Sequence, residues 1–505
     1  MRNVLEWLEE SSREKPQATA FADESTCVSF AELACRAQSI GSFIAQCVNP
    51  CVPVALFCEK STLALSGMLG ATYARCPYSV FDVWQPATRL ASIVETLQPG
   101  IVLTAPAYAQ KAQEAFAEMD VRVVDITDIM DTPINEALLA QRRDTALDVD
   151  PLYINFTSGS TGVPKGVAVS HRSVIDFIPH FTRIFGITGS DRIANQAPFD
   201  FDVSVKDIYS GLFTGAEVHL IPREYFSIPV KLMDFLADRE LTVCTWAVSA
   251  MCFVSIMSGF DYRVPTSISK VIFSGEVMPI KQLNVWRKHL PHALFANVYG
   301  PTEITCNCTY YIIDREFERN DVIPMGKPFP NEKVFLLDEE NREVLAEGIQ
   351  GEICVGGTAL ALGYYNNPER TAESFVQNPL HNCYLDPIYR TGDMGIWNAE
   401  GDLVYVSRKD HQIKHMGQRI ELGEIDVAAQ SVEGVEQACC LYDARKKRIL
   451  LFFAGDVTKE TVSAKLHDIL PAYMVPNKVF PLERMPLTKN GKVDRAELAQ
   501  LGGVK

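Results

Sequence analysis

The chain has 505 residues, more than one hydrophobic core usually supports, so two or more domains are expected. Hydrophobic residues make up 47% and charged residues 22% of the composition, which is ordinary for a soluble globular protein. The net charge of −16 argues against nucleic acid or an anionic membrane as a partner, although a local cluster of amides and lysines could still bind phosphate.

Strand and helix patterns alternate from the N-terminus to about residue 330. The segment LEWLEESSREKP predicts an opening helix that ends at Pro16. A helical pattern at 61–76 follows the first of several short apolar runs. A buried strand is predicted at 51–58, and further strands are predicted at 100–105 and 121–126. This alternation is typical of doubly wound α/β structure with parallel sheets.

The pattern changes near residue 330. Turn signals at Asp338–Arg342 and Glu347–Gly351 separate three apolar stretches within 333–357. The spacing predicts three strands and a β-rich subdomain over about 330–408.

A smaller domain is predicted after the charged run at 407–422. Helices are expected at 421–432 and 458–470, with a strand at 448–455. We therefore expect a large N-terminal domain over 1–408 and a small, mobile α+β domain over 409–505.

Three features of the sequence favour a cytoplasmic location. The charged start MRNVLEWLEESSREK does not resemble a signal peptide, and no apolar run is long enough to span a membrane. The fourteen cysteines include no C-x-x-C pair and lie mostly in apolar runs, which predicts reduced, buried thiols.

The stretch FTSGSTGVPKG (156–166) combines glycines, hydroxyl side chains and Lys165 in a segment that cannot build a core. Glycines let backbone amides approach an anion closely, and Ser and Thr hydroxyls add donors. A Walker P-loop requires Gly directly before the Lys and Ser or Thr directly after it, where this chain has Pro164 and Gly166. A mobile surface linker is the alternative to an anion-binding loop.

The string T-S-G-S-T-G-x-P-K-G resembles the phosphate loop of the adenylate-forming superfamily, which includes acyl-CoA synthetases and non-ribosomal peptide synthetase adenylation domains. In that family the loop wraps the β- and γ-phosphates of ATP. The family fold is a large domain of two α/β subdomains and a β subdomain, followed by a small C-terminal lid. The resemblance implies that ATP is bound by Thr157, Ser158, Gly159, Ser160, Thr161, Gly162 and Lys165.

A second motif, NVYGPTE (297–303), follows in the family's order. The resemblance implies that Tyr299 stacks on adenine, that Thr302 donates to the α-phosphate and that Glu303 holds Mg²⁺. An aromatic face, a hydroxyl donor and a hard oxygen ligand suit a nucleotide–metal site, although the segment alone could be a surface turn. We expect ATP and Mg²⁺ as cofactors, with Thr302 and Glu303 in catalytic roles.

Two further motifs carry the predicted ribose contacts and the hinge. In YRTGDMG (389–395), Asp393 matches the family's ribose-binding carboxylate, which can accept from both hydroxyls. In the following charged run, Arg408 matches the second ribose contact and Asp410 the hinge between the domains. The family usually has Gly before this Arg, where the chain has Ser407.

The fifth motif, PLTKNGKVDR (486–495), places Lys492 at the family's catalytic lysine. An ammonium that bridges the attacking carboxylate and the α-phosphate would relieve the repulsion between two negative groups. A solvated lysine near the C-terminus is the alternative.

The stretch NQAPFDFDVSVKDIYSGLFTGA (195–216) bears on the substrate class. Amino-acid-activating members of the family carry an Asp that pairs with the α-ammonium, and Asp202 matches it; an N-cap role is the alternative. The resemblance also implies which residues of this chain line the substrate pocket. They are Phe201, Asp202, Val203, Lys206, Thr245, Ile272, Ser274, Val298, Cys306, Asn307 and Lys492.

Within the amino-acid branch, NQAPF and GEVMP (275–279) resemble D-alanine–carrier-protein ligases, although Ser274 and Lys206 depart from that pattern. A buried lysine needs a partner or becomes neutral. If Lys206 faces the pocket, the substrate is expected to carry an acidic or strongly hydrogen-bonding side chain; a lysine that points to solvent is the alternative.

The resemblance implies an enzyme with two half-reactions. An amino acid and MgATP give aminoacyl-AMP and pyrophosphate, and the acyl group then passes to the phosphopantetheine thiol of a separate carrier protein. Because no carrier segment follows Arg495, loading in trans by a freestanding monomer is expected, with neither nucleic acid nor membrane as a partner. The alternatives are an acyl- or aryl-CoA ligase and a non-catalytic nucleotide-binding protein.

Overall fold

The structure is a computed structural model that describes residues 1–159, 162–318, 321–410, 412–487 and 493–504. It divides into two compact units. The first consists of Met1–Val83, Gln98–Asn155 and Val167–Lys409. The second consists of Trp84–Leu97, Phe156–Gly166 and Asp410–Lys505.

The elements follow one another in chain order. The helices are α1 Leu5–Glu14, α2 Phe30–Cys47, α3 Thr62–Tyr73, α4 Ala87–Leu97, α5 Ala109–Ala115, α6 Ile126–Ile129, α7 Glu136–Asp144, α8 His171–Phe185, α9 Val203–Thr214, α10 Pro229–Asp238, α11 Val248–Ile256, α12 Gly259–Tyr262, α13 Ile280–His289, α14 Pro368–Ser374, α15 Leu422–Gln430, α16 Lys459–Ile469 and α17 Arg495–Gly502. The strands are β1 Thr19–Ala22, β2 Cys27–Ser29, β3 Val54–Phe57, β4 Tyr78–Phe81, β5 Ile101–Thr104, β6 Val123–Asp125, β7 Pro151–Thr157, β8 Lys165–Ser170, β9 Arg192–Asn195, β10 Glu217–Leu220, β11 Val243–Ala247, β12 Lys270–Ser274, β13 Leu294–Tyr299, β14 Thr309–Ile312, β15 Lys327–Pro328, β16 Glu332–Leu337, β17 Gly351–Gly357, β18 Gly363–Tyr364, β19 Phe375–Gln377, β20 Pro387–Trp397, β21 Leu403–Arg408, β22 Gln412–His415, β23 Gln418–Glu421, β24 Val435–Asp443, β25 Arg448–Gly455 and β26 Lys478–Leu482.

Two large sheets contain the predicted parallel strands. One has the order β18-β8-β7-β4-β3-β5-β6, and β3 pairs in parallel with both β4 and β5. Its central strands are short and fully buried, as strands covered on both faces require. The opening helix and the strands predicted at 51–58, 100–105 and 121–126 are confirmed as α1, β3, β5 and β6. The predicted α/β fold is therefore confirmed.

The other large sheet supports most of the candidate site. Its order is β15-β14-β13-β12-β11-β9-β10-β1-β2, and β9 to β13 run parallel. Thr245 on β11 lies beside Ile272 on β12, which lies beside Ala296 on β13. Polar residues near the carboxyl ends of these strands are thereby brought to one edge of the sheet.

The β-rich stretch of the first unit is an antiparallel sheet of β16, β17, β19, β20 and β21. The three-strand prediction for 333–357 is wrong in its middle part, because only an isolated bridge from Leu337 to Glu343 lies between β16 and β17. Val344 is buried and Leu345 is 75% exposed, an alternation that suits a strand, but pairing in this stretch does not extend beyond that bridge.

The second unit contains a small α+β arrangement. Strands β22 and β23 form a hairpin, whereas β24 and β25 pair antiparallel and β26 joins β25 in parallel. The helices and strand predicted in this part of the chain are confirmed as α15, α16 and β25. Their apolar faces form a separate core around Leu451, Phe453 and Leu466.

Two further findings concern the chain as a whole. Nine of the fourteen cysteines are buried, which confirms the expectation that most of them lie inside. Within the described ranges, no helix combines the length and the apolar character needed to cross a membrane.

Candidate functional site

Three residues predicted to contact adenosine meet in the first unit. Tyr299 ends β13, and Asp393 on β20 lies opposite Arg408 on β21. The Tyr299 hydroxyl donates to Asp393 Oδ2 at 2.6 Å, and Arg408 Nη1 donates to Asp393 Oδ1 at 2.9 Å. Burial, followed by the charge of Asp393, raises the pKa of Tyr299 well above its usual value, so the phenol remains a donor.

Thr302 and Glu303 lie in a short 3-10 turn that begins three residues after Tyr299, the last residue of β13. The Glu303 side chain is fully buried, and its Oε1 accepts a hydrogen bond from the Tyr364 hydroxyl at 2.8 Å. Within the described residues, no group of three or more His, Cys, Asp or Glu is placed to hold a metal ion. One carboxylate is nevertheless enough for Mg²⁺ when nucleotide phosphates and water complete its coordination, so Glu303 fits the predicted role.

The turn that follows has a constrained backbone. Thr305 and Cys306 adopt left-handed conformations with φ of 51° and 73°, which is costly for residues other than glycine. A Cβ at Gly300 would lie 2.5 Å from Asn307 Cα, so the close approach of these segments requires glycine. The Thr305 hydroxyl holds the turn by donating to the Ala359 carbonyl at 2.7 Å.

Three predicted substrate-binding residues come together at Lys206. This side chain is 1% exposed, so the alternative that it points to solvent is wrong. Its Nζ donates to Asn307 Oδ1 at 2.9 Å and to Ser274 Oγ at 3.4 Å. Desolvation lowers the pKa of Lys206, while the charges of Asp207 and Asp202 oppose that shift.

Asp202 begins the helix that carries Lys206. It occupies the N-cap position of α9, but its side chain accepts no capping hydrogen bond from the backbone of the first turn, all of which the structure describes. The side chain is 6% exposed, and its backbone carbonyl accepts a hydrogen bond from Cys306 Sγ at 3.0 Å. Asp202 is thus a buried acid that does not act as a helix cap.

The remaining predicted substrate residues contribute differently. The Thr245 hydroxyl donates to Asp207 rather than to Lys206. Ile272 and Val298 are buried in the main hydrophobic core, while Phe201 and Val203 flank Asp202 along the chain.

Asp207 is the residue that the sequence interpretation missed. It is fully buried and lies directly after Lys206 on α9. The available signal was a second ionisable residue inside the otherwise apolar pattern of this helix.

The predicted phosphate loop belongs to the second unit. Its described residues approach one another closely: Gly162 N donates to the Gly159 carbonyl at 3.0 Å, and a Cβ at Gly159 would lie 1.9 Å from the Val163 carbonyl oxygen. The Thr157 hydroxyl is buried and has no hydrogen-bond partner among the residues described. The Ser158 hydroxyl donates to the Arg419 carbonyl at 2.8 Å.

Carboxylates of the same unit contact this loop. Gly159 N donates to Glu424 Oε2 at 3.2 Å, and Lys165 Nζ lies 3.9 Å from Glu421 Oε1. Arg89 forms an ion pair with Glu424. The Gly159 amide and the Lys165 ammonium therefore lie next to carboxylates of this unit, and their binding of ATP phosphates remains a prediction.

Three predicted site residues, Ser160, Thr161 and Lys492, lie outside the described residues. Asp410 is the first residue of the last segment of the second unit, and its Oδ1 accepts a hydrogen bond from Gln412 N at 3.1 Å. Its role as a hinge remains a prediction.

Sequence comparisons match this chain to bacterial synthases. It is 30% identical to zwittermicin A synthase ZmaJ from Bacillus cereus over 469 residues, which cover 91% of this chain and 87% of ZmaJ. It is 29–31% identical to the three tyrocidine synthases of Brevibacillus parabrevis, but spans only 45%, 13% and 8% of their lengths.

Solved structures share the fold. PA1221, a protein described as containing adenylation and PCP domains, superposes with a TM-score of 0.82 at 23% identity, covering 99% of this chain and 84% of that chain. The o-succinylbenzoate CoA synthetase MenE from Bacillus subtilis gives 0.84 at 19% identity, covering 99% and 98%. Residues 8–365 match the family described as AMP-binding enzyme. The chain therefore belongs to the AMP-binding enzyme family, the adenylate-forming superfamily.

Proposed function

We propose that this chain activates an amino acid and loads it onto a carrier protein. The substrate carboxylate attacks the α-phosphate of ATP, which forms the acyl–phosphate bond of aminoacyl-AMP and releases pyrophosphate. A phosphopantetheine thiol then attacks the acyl carbon, which forms a thioester and releases AMP. The proposal that a carrier thiol accepts the acyl group is supported by PA1221, which shares this fold and is described as containing both adenylation and PCP domains.

The observation that carries the amino-acid assignment is the burial of Asp202. This buried acid begins α9 without capping it, at the position where amino-acid-activating members of the family carry the Asp that pairs with the α-ammonium, and its charge would attract that ammonium. Lys206 lies one helical turn further along α9. The substrate's α-ammonium would therefore lie near Asp202, and its side chain near Lys206.

The ATP roles follow from the same proposal. Tyr299, Asp393 and Arg408 would hold the adenosine moiety, and the loop amides with Lys165 would bind phosphate. Glu303 would hold Mg²⁺, whose charge stabilises negative oxygens during the displacement.

The structure of the Lys206 cluster also suggests a substrate class. The two hydrogen-bond acceptors that Lys206 contacts, Ser274 and Asn307, are neutral. An acidic or strongly hydrogen-bonding substrate side chain would add a stronger acceptor for the ammonium, whereas the methyl group of alanine would not. We therefore propose that the substrate side chain is polar.

We expect Asp202→Asn to abolish discrimination for the substrate amine. The wild type should prefer its amino acid over the matching des-amino acid, and the variant should lose about 10²-fold of that preference because the ammonium loses its buried partner. Pyrophosphate exchange with both compounds measures this ratio. Asp200→Asn, a change two residues away, serves as the matched control. An unchanged preference in Asp202→Asn would contradict the assignment.

We also expect the acyl group to pass to a carrier rather than to CoA. With a labelled amino acid and ATP, label should appear on phosphopantetheinylated carrier domains but not on their apo forms, and intact mass should show no aminoacyl-enzyme. Free CoA in the same assay tests the alternative of an acyl-CoA ligase, since the CoA synthetase MenE has the same fold. Efficient acyl-CoA formation without carrier loading would overturn this part of the proposal.

A cytoplasmic location and a monomeric state complete the proposal. The burial of nine cysteines supports the first, since buried thiols are compatible with a reducing compartment.

A further inference from the structure

Asp207, the residue after Lys206 on α9, connects three elements of the first unit by hydrogen bonds. Its Oδ2 accepts a hydrogen bond from Asn195 Nδ2 at 2.8 Å, at the end of β9. Its Oδ1 accepts one from the Thr245 hydroxyl on β11. Because Asp207 itself lies on α9, these bonds tie the helix that carries Asp202 and Lys206 to two strands of the sheet.

A second lysine continues this network. Lys60, in the turn after β3, donates to Asn195 Oδ1 at 3.2 Å and to the backbone carbonyls of Asn195 and Gln196 at 3.1 and 2.8 Å. The Asn195 amide therefore accepts from an ammonium on one side and donates to a carboxylate on the other. Because Asn195 and Thr245 both donate hydrogen bonds to Asp207, the arrangement favours the negatively charged form of Asp207.

The charges around Asp207 are mutually dependent. Burial raises the pKa of Asp207 to about 7, and the hydrogen bonds from Thr245 and Asn195 and the charges of Lys206 and Lys60 oppose that shift. Desolvation lowers the pKa of Lys60 to about 7, opposed first by Asp207. The charge of Asp207 thus favours the charged form of both buried lysines.

We propose that Asp207 is a positioning residue for substrate recognition, which fixes α9 against β9 and β11 and balances the charge of Lys206 so that its ammonium contacts the substrate side chain. This inference rests on the proposed function of Lys206. Asp207 acts through Lys206 and does not itself touch the substrate. Its effect should therefore disappear when the ammonium is removed.

A double-mutant cycle tests this dependence. Asp207→Asn keeps the shape of the side chain but removes its charge. In the wild-type background it should raise the KM for the amino acid by about tenfold or more, since loss of a neighbouring opposite charge shifts a pKa by about one unit or more. The KM for ATP should change by less than about twofold. In the Lys206→Met background, Asp207→Asn should change the amino-acid KM by less than about twofold.

Melting temperatures of the same four proteins give a readout that needs no activity. Asp207→Asn should lower the melting temperature more in the wild type than in Lys206→Met, because only the wild type retains the Lys206 ammonium, whereas Lys60 is present in both backgrounds. Equal losses in the two backgrounds, by either readout, would overturn the proposal and leave Asp207 a purely structural residue. If no amino acid supports exchange, the proposed function fails, while the melting-temperature cycle still decides whether Asp207 is coupled to Lys206.

A second variant guards against failure of Asp207→Asn to fold. Asn195→Ala removes one hydrogen bond to Asp207 but keeps the carboxylate. We expect a smaller rise in the amino-acid KM and a smaller fall in melting temperature, both again dependent on Lys206. Additive effects of Asn195→Ala and Lys206→Met would contradict the inference.

Discussion

Lys492→Ala should lower aminoacyl-adenylate formation by about 10²–10³ in rate, the usual cost of removing one group that stabilises transition-state charge. The first half-reaction brings a carboxylate against an α-phosphate, and an ammonium between them relieves the repulsion. Thioester formation has a different charge distribution, because a thiol attacks the acyl carbon of the adenylate. Transfer from preformed aminoacyl-AMP should therefore be impaired far less.

Single-turnover assays of each half-reaction measure this difference. Lys489→Ala is the matched control, since it removes a lysine three residues away in the same PLTKNGKVDR motif. Both variants should fold like the wild type by circular dichroism. Equal losses in the two half-reactions, or an equal loss in Lys489→Ala, would contradict the assignment of Lys492 to the first step.

Lys206→Met should change the substrate preference rather than simply lower activity. The wild type should favour an amino acid with an acidic or strongly hydrogen-bonding side chain, because this side chain compensates a buried ammonium that has only neutral acceptors. Loss of a charge-assisted hydrogen bond should reduce kcat/KM for that substrate by roughly 10- to 100-fold. Small apolar amino acids should become comparatively better substrates, since methionine leaves an uncharged site.

The comparison needs exchange rates over matched polar and apolar amino acids for both proteins. Lys281→Met, on the exposed side of α13, controls for the loss of a lysine elsewhere. A wild type that prefers alanine, together with an unchanged preference in Lys206→Met, would contradict the polar-substrate proposal.

The elements around the site could be predicted because local patterns determine them. The alternation of apolar runs and helical patterns predicted the strands β3, β5 and β6, which lie in one parallel sheet, and β3 and β5 are fully buried. The stretch at 343–346 was predicted wrongly, because Val344 and Leu345 alternate between buried and exposed as in a strand although only an isolated bridge forms at Glu343.

The partners of the buried charges could not be predicted from local sequence. Lys206 and Asn307 are 101 residues apart in the chain, and their contact depends on the left-handed turn at Thr305 and Cys306. The sequence gives no sign of that turn, since neither residue is glycine. The contacts of Asp207 with Asn195 and Thr245 likewise depend on the order of strands in the sheet.

ATP–pyrophosphate exchange over a panel of L- and D-amino acids and their des-amino counterparts tests the central claim most directly. The account predicts exchange that depends on at least one amino acid, strongest for a polar side chain, and little exchange with the matching des-amino acid. Exchange supported only by carboxylic acids without an α-amine would contradict amino-acid activation, and ATP binding without exchange for any acid would contradict adenylation itself.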